Sequence, residues 1–255
     1  MNPSLKLTDL KQGDILIQHR HDKDPTKELI THAAIVATHS VTEKEIVTDA
    51  SGARFESKTY TIPHIFEMKV PTGHCLNTIY GEKNKIWSVY RLIITSSMES
   101  REETKISRLL PYKAASIGYL WVFYKNYKYK ADYKADYKVT NSGTYSKFSI
   151  VSAFLGSSEF SAYAQAYANS LWKNNRTQPP PDLIRMSNQC SCSCSFSGEI
   201  CSYLPIALYQ AAMGLSKAFI YMALNAKQSL PRDLARYLTV NKYWSLVGTV
   251  SGKSG

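Results

Sequence analysis

The sequence predicts an α+β fold in which an antiparallel sheet packs against helices and a cysteine stands at the N-terminus of one of them. Three observations predict it. Short alternating apolar runs separated by turn residues fill the chain up to Ile93, the pattern of strands in hairpin order. From Glu99 onward the period of the apolar residues lengthens to that of helices. Late in the chain, Ser195 to Gln210 reads as a loop of small residues running into a helix, with Cys201 where the helix starts.

Taken in order, Lys11-Gln12-Gly13-Asp14 is a turn and residues 15–19 are the first strand. Residues 19–25 are polar and turn-rich, hence a loop; His19, His21, Asp22 and Asp24 alternate there as a metal site would, but a solvated loop is the simpler reading. A strand over 30–38, a polar turn at 42–44 and a return strand over 45–50 follow, with Ser51-Gly52-Ala53 closing the return. Residues 54–61, 65–70 and 86–93 are further extended pieces. Helices are expected over 99–110 and 113–123, with Pro111-Tyr112 as an interruption, and one or two more over 148–172. The Cys201 helix runs to about Met213, Gly214 ends it, and 215–225 continues as helix. Pro231 opens the last helix from its first turn, and 243–248 is a closing strand.

With 255 residues and 44% hydrophobic content, the chain has material for a sizeable core. Its most apolar run, 206–224, is broken by Gln210, Gly214, Ser216 and Lys217, so no membrane span is expected. The first ten residues lack an apolar signal core. The expectation is synthesis in the cytoplasm without a cleaved signal peptide. A net charge of +11 and a pI near 9.3 point to an anionic surface as a partner or to a solvated basic exterior. The segment 124–138 interleaves Tyr and Lys and repeats Lys-Ala-Asp-Tyr in tandem; it reads as an exposed insertion, and nucleic acid is not the expected partner.

Four of the five cysteines are close together, Cys190, Cys192, Cys194 and Cys201, while Cys75 stands alone. Their spacing lacks paired C-x2-C knuckles and no histidine lies near, so no metal and no cofactor is expected. Cys201 differs from its neighbours by its place at a helix start. Free backbone N–H groups and the positive end of the helix dipole favour a thiolate there, against the alternative of a buried structural cysteine. A thiolate needs a base. His32, in the small-residue strand Thr31-His32-Ala33-Ala34-Ile35-Val36, is the candidate, with Asp49 as the carboxylate that fixes its tautomer; a core histidine and a turn-forming aspartate are the plainer readings. His39, His64 and His74 are rival bases, and none of them opens a small-residue strand. Tyr112 and Gln189 are candidates for an oxyanion donor beside the Cys201 backbone N–H.

Several phrases then line up in one order: Gly13-Asp14-Ile15-Leu16, Thr31-His32-Ala33-Ala34, Val47-Thr48-Asp49-Ala50, Val89-Tyr90-Arg91-Leu92, Ile200-Cys201-Ser202-Tyr203-Leu204 and Leu230-Pro231-Arg232-Asp233. This order resembles the circularly permuted branch of the NlpC/P60 superfamily, the papain-like hydrolases that include the YiiX-type and lecithin:retinol acyltransferase-like proteins. The family often has glutamate where this chain has Tyr203. The resemblance implies a single papain-like domain over 1–255, with 118–189 as an atypical helical insertion. It implies a Cys201–His32–Asp49 triad in a cysteine hydrolase of amide bonds. Peptidoglycan peptides are the first substrate class it implies. The chain would then act as an antibacterial toxin, delivered by a specialised secretion system to a target periplasm and met by a cognate immunity protein. A host-directed protease or deamidase is a close variant, and a lipid or thioester acyl hydrolase or acyltransferase is the alternative. A non-catalytic binding module built on 124–138 is the third reading.

Overall fold

A computed structural model describes residues 3–21, 28–49, 52–69, 73–79, 85–94, 108–129, 153–173 and 200–251. Its architecture is α+β. Six strands form one antiparallel sheet: β1 (Ile15–His21), β2 (Glu28–Asp49), β3 (Gly52–Lys69), β4 (Gly73–Thr78), β5 (Ile86–Leu92) and β6 (Trp244–Ser251), in the spatial order β4-β3-β2-β1-β5-β6. The helices named among the described residues are α1 (Leu110–Tyr129), α2 (Ala162–Lys173), α3 (Tyr203–Met213), α4 (Leu215–Tyr221) and α5 (Pro231–Val240). The last strand, β6, returns to the sheet beside β5.

Strand alternation divides the apolar residues between two cores. Ile15, Ile17, Ala33, Ile35, Phe66 and Met68 face the helices. Leu16, Ala34, Val36, Ile65, Trp87 and Val89 face the other way, onto a smaller core completed by Leu10 and covered by Leu5 and Leu7. Every residue of α3 is buried. Its sequence, Tyr-Leu-Pro-Ile-Ala-Leu-Tyr-Gln-Ala-Ala-Met, is apolar on all sides, as a helix surrounded by other elements must be. It packs on α1, α2 and α4 and on strands β2 and β3.

Two of the phrases singled out in the sequence meet here. Asp14 is 2% exposed and accepts two hydrogen bonds from Arg91, Nε to Oδ1 at 2.8 Å and Nη2 to Oδ2 at 2.7 Å. The neighbouring Gly13 has φ 87° and lies so close to Pro111 that a Cβ would come within 2.4 Å of it. Tyr209 Oη donates to the Gly13 carbonyl at 2.6 Å, tying α3 to this turn. The Gly-Asp and Tyr-Arg phrases therefore join β1, β5, α1 and α3.

Several expectations need correction. The turn expected at 42–44 does not form, and neither does the break between 61 and 65: β2 and β3 are single long strands paired from Ala34↔Glu67 to Asp49↔Gly52. The ladder runs through Thr42↔Thr59 and Glu43↔Lys58, and 42–44 contains no residue suited to positive φ. The reversal is made by Gly52, with φ 114°. Pro63 falls where the ladder to β4 has not yet begun, so its missing N–H breaks no bond on that side. Strand β4 forms in Gly73–Thr78, a polar stretch without strand-like alternation. Pro111 does not interrupt a helix but sits in the first turn of α1, where its absent N–H costs nothing. The start of the expected insertion, Gly118, lies in the middle of α1, where a Cβ would come within 2.7 Å of Phe66 and 3.2 Å of Leu208. Trp121, Ala168 and Leu171, all within 118–189, belong to the main core. Helix α1 carries the first part of the Tyr/Lys segment as backbone, and 130–138 lies outside the described residues, as does most of the helix expected over 99–110.

Candidate active site

His32 is set by an irregularity in the sheet. The β1–β2 register runs Gln18↔His32 and then His19↔Ile30, so Thr31 is an extra residue on β2. The bulge puts Ile30 and His32, two residues apart, on opposite faces, and leaves His32 on the face of Ala34 and Val36, beside Trp87 and Glu67. Thr31 Oγ1 donates to Gln18 Oε1 at 3.1 Å, which fills the local gap in the ladder. The indole of Trp87 meets the imidazole edge-on, with ring centroids 6.0 Å apart and an interplanar angle of 65°. The ring is thereby confined on one side.

Cys201 is set by two anchors on one loop. Ile200 packs with Ala153 and Leu230 in a small buried cluster. Ser202 Oγ donates to the Ser229 carbonyl at 2.5 Å. Between them, Tyr203 N–H bonds to the Ile200 carbonyl at 2.9 Å, a tight turn that extends α3 backward over the cysteine. The Leu-Pro-Arg-Asp phrase thus has a structural role. Asp233 accepts from Leu230 N–H at 2.9 Å and caps α5, and the same loop holds the turn around Cys201. The sulfur is a free thiol, 1% exposed.

These two constructions place Cys201 close enough to His32 for the thiol to act on the charge of the imidazole. The other side of the ring is occupied as well: His32 Nε2 lies 2.8 Å from Glu67 Oε2. Burial works against a charge on this ring, but the hydrogen bond to Cys201, then the one to Glu67, and the attraction of both partners outweigh it, and the pKa of His32 rises to about 9. Glu67 is 1% exposed, so its ion pair with His32 is screened little by solvent.

The structure therefore places Cys201 and His32 near each other, and the carboxylate bonded to His32 is Glu67. Asp49 is not the carboxylate beside His32. It lies at the far end of the same strand, opposite Gly52, and the length of β2 separates the two at about 3.3 Å per residue. The replacement, Glu67, pairs with Ala34, diagonally adjacent to His32 across the β2–β3 ladder. A signal for it was present: Ile65-Phe66-Glu67-Met68 places one carboxylate in a run that is otherwise apolar and buried, where a charge needs a partner. The misplaced turn at 42–44 hid the register that pairs it with His32.

Of the remaining candidates, Tyr112 is 52% exposed on α1, and Gln189 lies outside the described residues, as do Cys190, Cys192, Cys194, Asp22 and Asp24. Tyr203, at the position where the resembled family often carries glutamate, is fully buried and shares a hydrogen bond with Tyr167 on α2. Among the described residues no cluster of His, Cys, Asp and Glu is arranged to hold a metal, and no helix is long and apolar enough to cross a membrane. Comparison of the chain with protein-family models, with curated proteins and with solved structures returns no match.

Proposed function

We propose that this chain is a papain-like cysteine hydrolase that cleaves amide bonds with Cys201 as nucleophile, His32 as proton carrier and Glu67 as the orienting carboxylate. The observation that supports the reading is the imidazole of His32 held between a thiol at a helix start and a buried carboxylate. That is the arrangement nucleophilic acyl transfer needs: a nucleophile, a base in contact with it, and a third group to aim the base.

The chemistry follows from the positions. The Cys201 thiolate attacks the carbonyl carbon, a C–S bond forms, and the carbonyl electron pair moves onto oxygen. The backbone N–H of Cys201 at the start of α3 is a donor for that oxyanion. The imidazolium of His32 gives its proton to the departing amine as the C–N bond breaks, which leaves a thioester. Neutral His32 then takes a proton from water, the hydroxide attacks the thioester, and the thiolate leaves with the acid released. Glu67 accepts a hydrogen bond from Nε2–H throughout and stabilises the charged ring.

The substrate class rests on the resemblance of the ordered phrases to the permuted NlpC/P60 branch, and the positive charge of the chain suits an anionic wall. Peptidoglycan peptides are the proposed substrate, with the chain as a secreted antibacterial toxin and an immunity protein as its cognate partner. The test is digestion of purified sacculi followed by mass spectrometry of the released muropeptides, with a parallel panel of acyl esters and phospholipids and Cys201→Ala as the blank. New peptide termini in the muropeptides are expected. Glu67→Gln should lower kcat by roughly 10²–10⁴-fold, whereas Asp49→Asn should leave it unchanged. Turnover of esters alone would replace the substrate class with acyl transfer. Wild-type protein indistinguishable from Cys201→Ala on every substrate would remove the hydrolase reading.

A further inference from the structure

Helix α4 is apolar toward both sides. Ala218 and Tyr221 are buried in the main core, while Phe219 and Ile220 point outward, 59% and 45% exposed. A single exposed apolar side chain needs no explanation, but these have exposed apolar neighbours on the adjoining elements. Phe160 meets Phe219 with ring centroids 5.9 Å apart, which joins α4 to the segment that carries Phe154 and Leu155, 59% and 85% exposed. At the other end of α4, the exposed Trp172 lies against the α3–α4 joint, where a Cβ on Gly214 would come within 2.9 Å of its indole nitrogen.

Cations border this surface. The Arg232 guanidinium stands 4.9 Å from the centroid of the Phe154 ring, and Lys217 Nζ is 5.8 Å from that of Tyr221. Lys173 follows Trp172 and is exposed. Two acidic groups share the border, Asp233 at 3.9 Å from Arg232 and the exposed Glu159, so the three cations leave it with a net positive charge of one. Apolar tips beside cationic side chains match the boundary between acyl chains and anionic headgroups, where the tips enter and the cations reach the phosphates. The net charge of +11 draws the whole chain toward such a surface before contact.

We infer that this face, built from α4, the end of α2 and the segment around Phe154, docks the protein onto an anionic lipid bilayer. The inference goes beyond the hydrolase reading and does not depend on it.

The chain reports on this binding through its own fluorescence. Of its four tryptophans, Trp87, Trp121 and Trp244 are at most 5% exposed, while Trp172 is 41% exposed. A blue shift on adding vesicles therefore comes from Trp172. The experiment is cosedimentation of the full chain with vesicles of phosphatidylcholine containing about one third phosphatidylglycerol, against pure phosphatidylcholine, together with emission spectra. Binding to the anionic vesicles with a blue shift is expected, weakening as salt shortens the Debye length from roughly 10 Å to roughly 3 Å. The double variant Phe219→Ser/Ile220→Ser should lose roughly tenfold or more in vesicle affinity. Lys173→Glu/Lys217→Glu should lose affinity for anionic vesicles. Trp172→Phe should keep most of the binding and lose the shift. Because the changed residues of the apolar variant are exposed, an unchanged thermal melt is expected for it. Cys201→Ala should bind like the wild type, which separates this outcome from any failure of the hydrolase reading. Three results overturn the inference: no binding, binding by the Phe219/Ile220 variant equal to wild type, or self-association without vesicles that the same variant abolishes, which would assign the face to a second copy of the chain.

Discussion

An imidazole flanked by a sulfur and a carboxylate keeps its proton to higher pH than one in water. For His32 the folded-state pKa of about 9 lies above the ordinary value of 6.5. The sign of the linkage follows: the folded chain binds this proton more tightly than the unfolded one. The stabilisation is therefore fully present below about pH 6.5 and is lost as pH rises through about 9. Its size is on the order of 3 kcal/mol. Urea unfolding at pH 6.5 and at pH 9.5 checks this. The wild type should lose stability across the window, and His32→Gln, which has no proton to release there, should lose less by about that amount. Glu67 is the other half of the pair. Buried at 1% exposure, it is a liability without the imidazolium, so breaking the pair from either side should destabilise the fold.

At the scale of elements, close approach and bulges set the positions that the site uses. Gly118 lets α1 lie against Phe66 on β3 and Leu208 on α3. Gly118→Val would push two branches into a gap that a Cβ alone overfills, and a loss of about 1–3 kcal/mol in chemical unfolding is expected. The pairing of Asp14 and Arg91 ties the strands to α3 through Gly13 and Tyr209. Arg91→Met should remove both charged hydrogen bonds to the buried Asp14 carboxylate and cost about 3 kcal/mol, measured as a shift of the urea midpoint at pH 7. The bulge at Thr31 is the element-level feature closest to His32: it shifts the phase of the strand there, so that Ile30 faces the helices while His32 stays on the face of Ala34 and Val36.

Across the whole molecule, the parts legible in the sequence are those with a local cause. Gly214 ends α3 at φ 78°, and Pro231 opens α5; both follow from backbone chemistry within one turn. The place of Cys201 just before a helix was legible because small residues precede an apolar run, and the strand around His32 because Ala, Ile and Val surround it. What could not be read locally was register. The partner of His32 depends on how far β2 runs before it reverses, and a polar stretch at Thr42–Lys44 mimics a turn when its cross-strand partners Thr59, Lys58 and Ser57 are not in view. Glu67 rather than Asp49 follows from that one misread reversal. The core membership of Trp121 and Leu171 is likewise a tertiary fact, visible only once α1 and α2 are placed against α3.

The contact between sulfur and imidazole is most directly tested by following the ring nitrogens of His32 by NMR in histidine-labelled protein across pH 5 to 10. A midpoint near 9 is expected in the wild type, lower midpoints in Cys201→Ala and in Glu67→Gln, and the wild-type midpoint in Asp49→Asn. A His32 midpoint near 6.5 that none of these substitutions moves would show that the imidazole touches neither group, and the site described would not exist.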